Sequence, residues 1–356
     1  MVLIIICHHN RDRATPDVSR STDNQPEKRH DSIIKTLMKT DTPDRSFVKV
    51  DSGMPLEMDP DLEKITSSDF IGFLSSAWSS FKGLCNHSSA RMYTHLDGGL
   101  VPYNFSRGPV NHQLSEYLKV AYYATDTETP IHWSTHRDVI TSLHVVRKAI
   151  ESLTHDTPIA YALTMHPGHH ASMNQYGGYC FLNNPVYAAY LMKRRFEFHR
   201  VAILDLDYHH GDGSEKLTRD DKNLLTVSIH MDPFLDYPSV SGHAGETENN
   251  YNLVLSSHTT HEQYTHCLKK ALDKIDRFGA DGVVIALGLD TLKGDSDACQ
   301  PMEILQEDFK RFGYQISSTL FKDPSRKVLI TQEGGYKLDL VPKAVDCFLK
   351  GFRDGH

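Results

Sequence analysis

VAILDLDYHHGDG, residues 201–213, begins like the middle of a strand and ends in charge. Four apolar residues run straight into Asp205, Asp207, His209, His210 and Asp212. Burying a carboxylate is costly unless it is paired or bound to a cation, so the polar end of this strand needs a reason. Similar apolar runs recur along the chain: VLIII (2–6), IAYAL (159–163), LLTVSI (224–229), YNLVL (251–255), GVVIALGL (282–289) and KVLIT (327–331). None alternates polar with apolar residues, which predicts strands covered on both faces, as in a parallel sheet. Helical spacing lies between them. Val139, Leu143, Val146, Ile150 and Leu153 form one stripe in 137–153; Tyr264, Leu268, Ala271, Ile275 and Phe278 form another in 261–278.

Alternating strand and helix predicts an α/β fold: one domain over residues 1–356, with a mainly parallel central β-sheet flanked by helices on both faces. Polar residues 8–30 and the Gly-, Asn-, Ser- and Pro-rich residues 86–118 are expected to be loop insertions. The net charge of −8 argues against a nucleic-acid partner, which would call for a basic face, and tilts toward a cationic substrate. MVLIIIC at the start is too short for a signal-peptide core or a membrane span, and no later run is long enough. The six cysteines (Cys7, Cys85, Cys180, Cys267, Cys299, Cys347) are scattered and form no CxxC pair. That pattern predicts reduced thiols and a cytoplasmic setting, or a nuclear one in a eukaryote.

The chemistry-bearing residues follow the strands. IAYALTM leads into HPGHH (166–170), LLTV into SIHMD (228–232), GVVIALGL into Asp290, and KVLIT into QEGGY (332–336). Ligands of open α/β sheets bind at the carboxyl ends of strands, so these ends are expected to meet in one pocket. Residues two apart in an extended segment face the same way; Asp207 and His209 can therefore chelate one metal ion, with Asp290 as a third ligand. A lone D-x-H is ordinarily a salt-bridged surface turn, but here an apolar strand precedes it and a matching carboxylate ends another. Two carboxylates and an imidazole leave an open position, as in catalytic zinc sites, and also suit Fe²⁺ or Co²⁺. Adjacent histidines in a loop are ordinarily solvated. Beside the spare Asp205 and Asp212, however, His169 and His170 suggest two Asp–His dyads, in which a carboxylate steadies an imidazole that takes up a proton. Tyr336 follows two glycines that bring its phenol close to a ligand, where it can polarise a carbonyl. Together these parts describe metal-assisted hydrolysis of an amide.

In their order and spacing, PGHHA, GGYCFLNN, DLDYHHGDG, VSIH, ALGLDT and EGGY resemble the zinc-dependent deacetylase branch of the arginase/deacetylase fold. The resemblance spans about residues 55–350. It implies Zn²⁺ on Asp207, His209 and Asp290, His170 as general base and acid, His169 as its electrostatic partner, and Tyr336 on the acetyl carbonyl. Asp205 and Asp212 would support His169 and His170. A monovalent cation, K⁺ in this family, would sit near Asp205, Asp207, His209, Ser228 and Ile229. Gly178 and Tyr179 would line the acyl channel, with Tyr237 opposite.

Several stretches are more similar to the acetylpolyamine amidohydrolases within that branch: FLSSAWSSFK (73–82), YYATDTETPI (122–131) and SIHMDPFLDYPSVSGHAGETE (228–248). This implies a small cationic acetylated amine as substrate, a homodimer whose loop 86–118 narrows the channel, and substrate recognition by Glu128 and, near a second such position, Glu116. Acetyl-lysine in a protein is the alternative substrate. Two features depart from the family. Met165-His166 replaces its usual arginine-proline, and 290–302 (DTLKGDSDACQPM) is longer than in the polyamine enzymes. A binuclear ureohydrolase is disfavoured by Gly211, which stands where a further aspartate is needed. A non-catalytic acetyl-lysine binder would tolerate loss of His170 or Tyr336, and both are present.

Overall fold

Pairing of the apolar runs builds the sheet. The computed structural model describes residues 3–9, 26–40, 45–51, 60–84, 88–95 and 97–356. Among these residues the strands are β1 (Leu3–His9), β2 (Arg45–Asp51), β3 (Ile159–Leu163), β4 (Val201–Asp205), β5 (Leu224–Met231), β6 (Gly245–Glu246), β7 (Asn250–Leu255), β8 (Gly282–Leu287) and β9 (Lys327–Gln332). They form one sheet in the order β2-β1-β3-β9-β8-β4-β5-β7-β6, parallel throughout except for β6 against β7. The helices are α1 (Pro26–Lys39), α2 (Ser68–Lys82), α3 (Val120–Tyr123), α4 (Thr135–Ser152), α5 (Asn184–Phe196), α6 (Asp212–Thr218), α7 (His261–Phe278), α8 (Asp308–Leu320) and α9 (Val341–Asp354).

Strand side chains alternate between two cores, so both sheet faces are covered. Ile159, Tyr161 and Leu163 of β3 join the core with α1, α7, α8 and α9, while Ala160 and Ala162 join the one with α2, α4 and α5. Local chemistry sets the helix ends. Thr260 and Gln263 form a reciprocal capping box at the start of α7, and Gly279 stops it in the left-handed region at φ 70°. Asn183 caps α5 by accepting the Val186 N–H, with Pro185 in its first turn.

The expected loop 8–30 is corrected at both ends. His8 and His9 belong to β1 and pair with Val50 and Asp51, and Pro26–His30 open α1. Residues 10–25 of that loop lie outside the described residues. The first turn of α1 is polar, so its apolar spacing is weak; Arg29 and His30 are buried there through hydrogen bonds. Strand β2 went unread because it is an edge strand whose residues, Val50 apart, are partly or fully exposed. Residues 88–118 hold short 3₁₀ turns at Ser88–Tyr93 and Glu116–Lys119 and isolated bridges of Leu100 to Thr94 and Ile131.

Cys7, Cys180, Cys267, Cys299 and Cys347 are free thiols, and Cys85 lies outside the described residues. Among the described residues no helix is long and apolar enough to cross a membrane. Five consecutive neighbours in the sheet, β3-β9-β8-β4-β5, are the strands whose polar ends the sequence places together. Their carboxyl ends form one edge, and the site lies there.

Candidate active site

After β4 the chain turns across the sheet edge through Leu206, Asp207, Tyr208 and His209. Asp290 reaches the same point from the end of β8, and ligand-capable atoms of Asp207, His209 and Asp290 lie within 4.8 Å of one another. His209 Nδ1 is 3.4 Å from Asp207 Oδ1 and 3.3 Å from Asp290 Oδ2. Backbone donors fix the carboxylates. Asp207 accepts the N–H groups of Gly334 (2.8 Å) and His209 (3.0 Å), and Asp290 Oδ1 accepts that of Tyr208 (2.9 Å). A Cβ at Gly334 would overlap Asp290 Oδ2, so only glycine lets the end of β9 approach this closely.

All three side chains are buried, and Asp290 Oδ2 accepts no hydrogen bond among the described residues. Burial raises both carboxyls. His169 and His209 nonetheless hold Asp207 well below the usual carboxylate range, while burial and then the charge of Asp207 push Asp290 well above it. Two crowded carboxylates, one imidazole and an unbonded buried oxygen are a donor set that fits a divalent cation. His169, Cys180 and Glu333 also come within ligand range of one another. That trio fits a metal poorly: Glu333 is committed to two backbone N–H groups, and burial holds the Cys180 thiol well above its ordinary value.

The two dyads are present. His169 Nδ1 is 3.0 Å from Asp205 Oδ2, and His170 Nδ1 is 2.9 Å from Asp212 Oδ1. Asp212 also accepts from Lys216 one turn along α6 at 2.7 Å. The two imidazoles are tilted at 46° with centroids 3.9 Å apart, close enough for charge on one to disfavour charge on the other. Burial and then the charge of His169 push His170 down to about 3. Burial acts on His169 in the same sense, but Asp207 and Asp205 outweigh it and raise it to about 10. The two neighbouring histidines are therefore driven in opposite directions.

Tyr336 is buried beside them, its backbone N–H donating to Asp295 Oδ2 at 2.8 Å. Its ring lies edge-on to Tyr179 at 5.3 Å, and the Arg29 guanidinium sits 5.3 Å from its centroid. Arg29 also donates to the Met165 carbonyl, so a guanidinium from α1 lies behind the site although Met165 stands where the family has arginine.

Above these groups opens a cavity of about 190 Å³. Gly178 adopts φ 53° against His170, where a Cβ would overlap the imidazole. Tyr179 lines one side, and Tyr237 stands edge-on to His170 at 4.8 Å. Asp126, Glu128, Asp236 and Asp297 add carboxylates to the lining. Glu128 sits at the exposed rim, 3.3 Å from His95 Nε2.

The structure does not bring Glu116 to this lining. Its carboxylate pairs with Lys119 within its own 3₁₀ turn. Ser228 pairs in register with Asp205, and Ser228 Oγ bonds His230 Nδ1 at 2.7 Å; Ile229 follows, fully buried. His210 faces away from the cavity: Nε2 is 2.9 Å from Glu215 and Nδ1 3.1 Å from Ser241 Oγ, which ties α6 to the loop after β5. Sequence reasoning missed Arg29, Asp126, Asp236, Asp295, Asp297 and Glu333. Asp295 and Asp297 lie in the long segment 290–302, and Glu333 opens EGGY, so the quoted motifs held part of the signal.

A parallel α/β sheet whose strand ends carry a trio of side chains that could hold a metal ion, two Asp–His dyads and a buried tyrosine points to a class, the amide-cleaving deacetylases. The chain belongs to the histone deacetylase domain family, whose pattern it matches over residues 24–352, and it is a hydrolytic deacetylase. It is 28% identical over 303 residues to acetylpolyamine amidohydrolase 2 of Pseudomonas aeruginosa, covering 83% of each chain. To acetylpolyamine amidohydrolase 1 of the same organism it is 31% identical over 297 residues, covering 82% of each. The crystal structure of acetylpolyamine aminohydrolase from Burkholderia pseudomallei shares the fold, with a TM-score of 0.81 over 99% of each chain at 24% identity.

Proposed function

We propose that the chain hydrolyses the acetyl amides of small cationic amines, acetylpolyamines above all. The observation that carries this reading is the cavity itself: aromatic walls suited to a methylene chain, with carboxylates spaced along them. Those carboxylates are not equivalent. Asp126 accepts the N–H groups of Gly178 and Glu128, and Asp236 accepts from Tyr208, Tyr237 and Cys299. Asp297 Oδ1 accepts the Tyr179 hydroxyl at 3.0 Å, whereas no hydrogen bond to its Oδ2 is made among the described residues. Asp297 Oδ2, and the exposed carboxylate of Glu128 at the rim, are thus left for a substrate ammonium.

Asp207, His209 and Asp290 would hold the divalent cation, with Zn²⁺ the best match to the donor set. When bound, such an ion supplies a Lewis acid that polarises the acyl oxygen and makes water more acidic. The rest is done by side chains. His170 keeps Nδ1 on Asp212, leaving Nε2 to accept a proton from the attacking water and return it to the departing amine. His169, held by Asp205, lies beside that step, its imidazole centroid 3.9 Å from that of His170. Tyr336 stays protonated, since burial lifts its phenol well above the ordinary value, and donates to the acyl oxygen as charge develops there. Asp205, Asp207, His209, Ser228 and Ile229 would hold K⁺, whose charge offsets the buried carboxylates. A second copy of the chain would narrow the mouth through residues 86–118, and the free described cysteines support a reducing, cytoplasmic setting.

Tyr336→Phe is expected to lower kcat by about 10²-fold, with KM and bound metal unchanged, as for loss of one oxyanion donor; steady-state acetate release and metal analysis check it. Asp297→Asn keeps an acceptor for Tyr179 but loses the charge. It is expected to raise KM for N-acetylputrescine by about 10-fold, the scale of one charge-assisted hydrogen bond, and to leave the neutral isostere N-pentylacetamide unaffected. The reading as a whole is tested by comparing N-acetylputrescine and N-acetylspermidine with acetyl-lysine peptides. The amines should turn over faster, and a large preference for peptides would overturn it.

A further inference from the structure

Glu333 is a carboxylate with no exposed surface, set directly beneath the loop that carries both histidines. A buried acid is tolerated only where donors surround it. Its Oε2 accepts the N–H of Gly168 at 2.6 Å and that of His169 at 3.1 Å, and its Oε1 accepts the Thr331 hydroxyl at 3.0 Å. Consecutive backbone N–H groups turned to one side form a concave anion site, and here the anion is built into the chain. The other side of the His169 peptide is held as well. Its carbonyl accepts the Ser214 N–H at 2.9 Å and lies 3.4 Å from Asn183 Nδ2. Removing the carboxylate would leave two buried N–H groups unpaired at the base of the loop.

We propose that Glu333 is a positioning residue: by gripping the Gly168 and His169 N–H groups it fixes the backbone from which His169 and His170 meet Asp205 and Asp212. It is not among the residues that line the cavity, and its hydrogen bonds reach the histidines through their loop. Burial raises its carboxyl to about 7 against the pull of His169 and the Gly168 N–H, so acceptor geometry matters here more than full negative charge. That distinction separates the variants. In Glu333→Gln the amide oxygen can accept both N–H groups while the amide N–H faces Thr331 Oγ1. Glu333→Ala has no acceptor at all.

The inference rests on the cavity being a hydrolytic site, so wild-type acetate release from N-acetylputrescine is measured alongside. Small displacements of catalytic groups cost large factors in rate, so Glu333→Ala is expected to lower kcat by about 30-fold with KM within about twofold. Metal content should be retained, and Glu333→Gln should recover to within about threefold of wild type. Should the alanine variant fail to fold, Glu333→Asp, one methylene too short to reach both N–H groups, is expected to show the same selective loss of kcat. The proposal is overturned if a folded Ala or Asp variant keeps wild-type kcat, or if Gln loses as much as Ala with kcat and KM moving together. An inactive wild type would instead sink the hydrolytic reading, so the two failures are distinguishable.

Discussion

With Asp207 and His209 both replaced by alanine, the protein is expected to bind no divalent metal and to release acetate no faster than uncatalysed solution. The effect should be this large because the double variant leaves Asp290 as the last of the three donors brought within 4.8 Å, and one carboxylate does not make a closed set for zinc. Removing the two side chains also takes away one of the two crowded carboxylates, so folding should survive; circular dichroism confirms that first. Metal content by elemental analysis is the deciding readout, because it separates loss of the ion from loss of a later step. A double variant that keeps a full equivalent of metal would show that the ligands lie elsewhere.

His170→Ala should give the next largest effect, a fall in kcat of about 10³-fold, within the range for loss of a general base. Metal content should stay at wild-type level, since His170 is not one of the metal-binding trio. The expectation follows from the way the neighbouring imidazoles are driven apart. Burial and the charge on His169 keep His170 neutral, and Asp212 occupies its Nδ1, leaving Nε2 as the acceptor. His169 has the opposite role, raised to about 10 by the carboxylates around it despite its burial. A His170→Ala enzyme within tenfold of wild type would move the proton-transfer role to another group.

Much of this site could be read in advance because each piece sits at the end of an apolar strand. Asp207, His209 and Asp290 follow VAIL and ALGL, and the parallel order β9-β8-β4 brings those ends side by side. The two-residue spacing of Asp207 and His209 reads as extended, whereas β4 ends at Asp205 and a bend through 207–209 brings the two side chains together. What stayed hidden had weaker local signals. Strand β2 is a half-exposed edge without a continuous apolar run, and α1 buries Arg29 and His30 through polar contacts that no apolar stripe announces. Asp297 and Asp295 come from an irregular segment whose path is set by long-range hydrogen bonds to Tyr179 and Tyr336, which spacing does not encode. Glu333 was in view within EGGY, but a carboxylate gripping another strand's loop is a tertiary fact. His210, the residue of VAILDLDYHHGDG that spacing left without a task, proves to be a tie between α6 and the loop after β5 through Glu215 and Ser241.

The most direct test of the account is acetate release from N-acetylputrescine by the purified protein, measured before chelation, after chelation and after stoichiometric Zn²⁺ is returned. Hydrolysis should disappear with the metal and come back with about one equivalent of it, as a single three-ligand site requires. Undiminished hydrolysis by the metal-free protein, or none by the zinc-loaded protein, would contradict it.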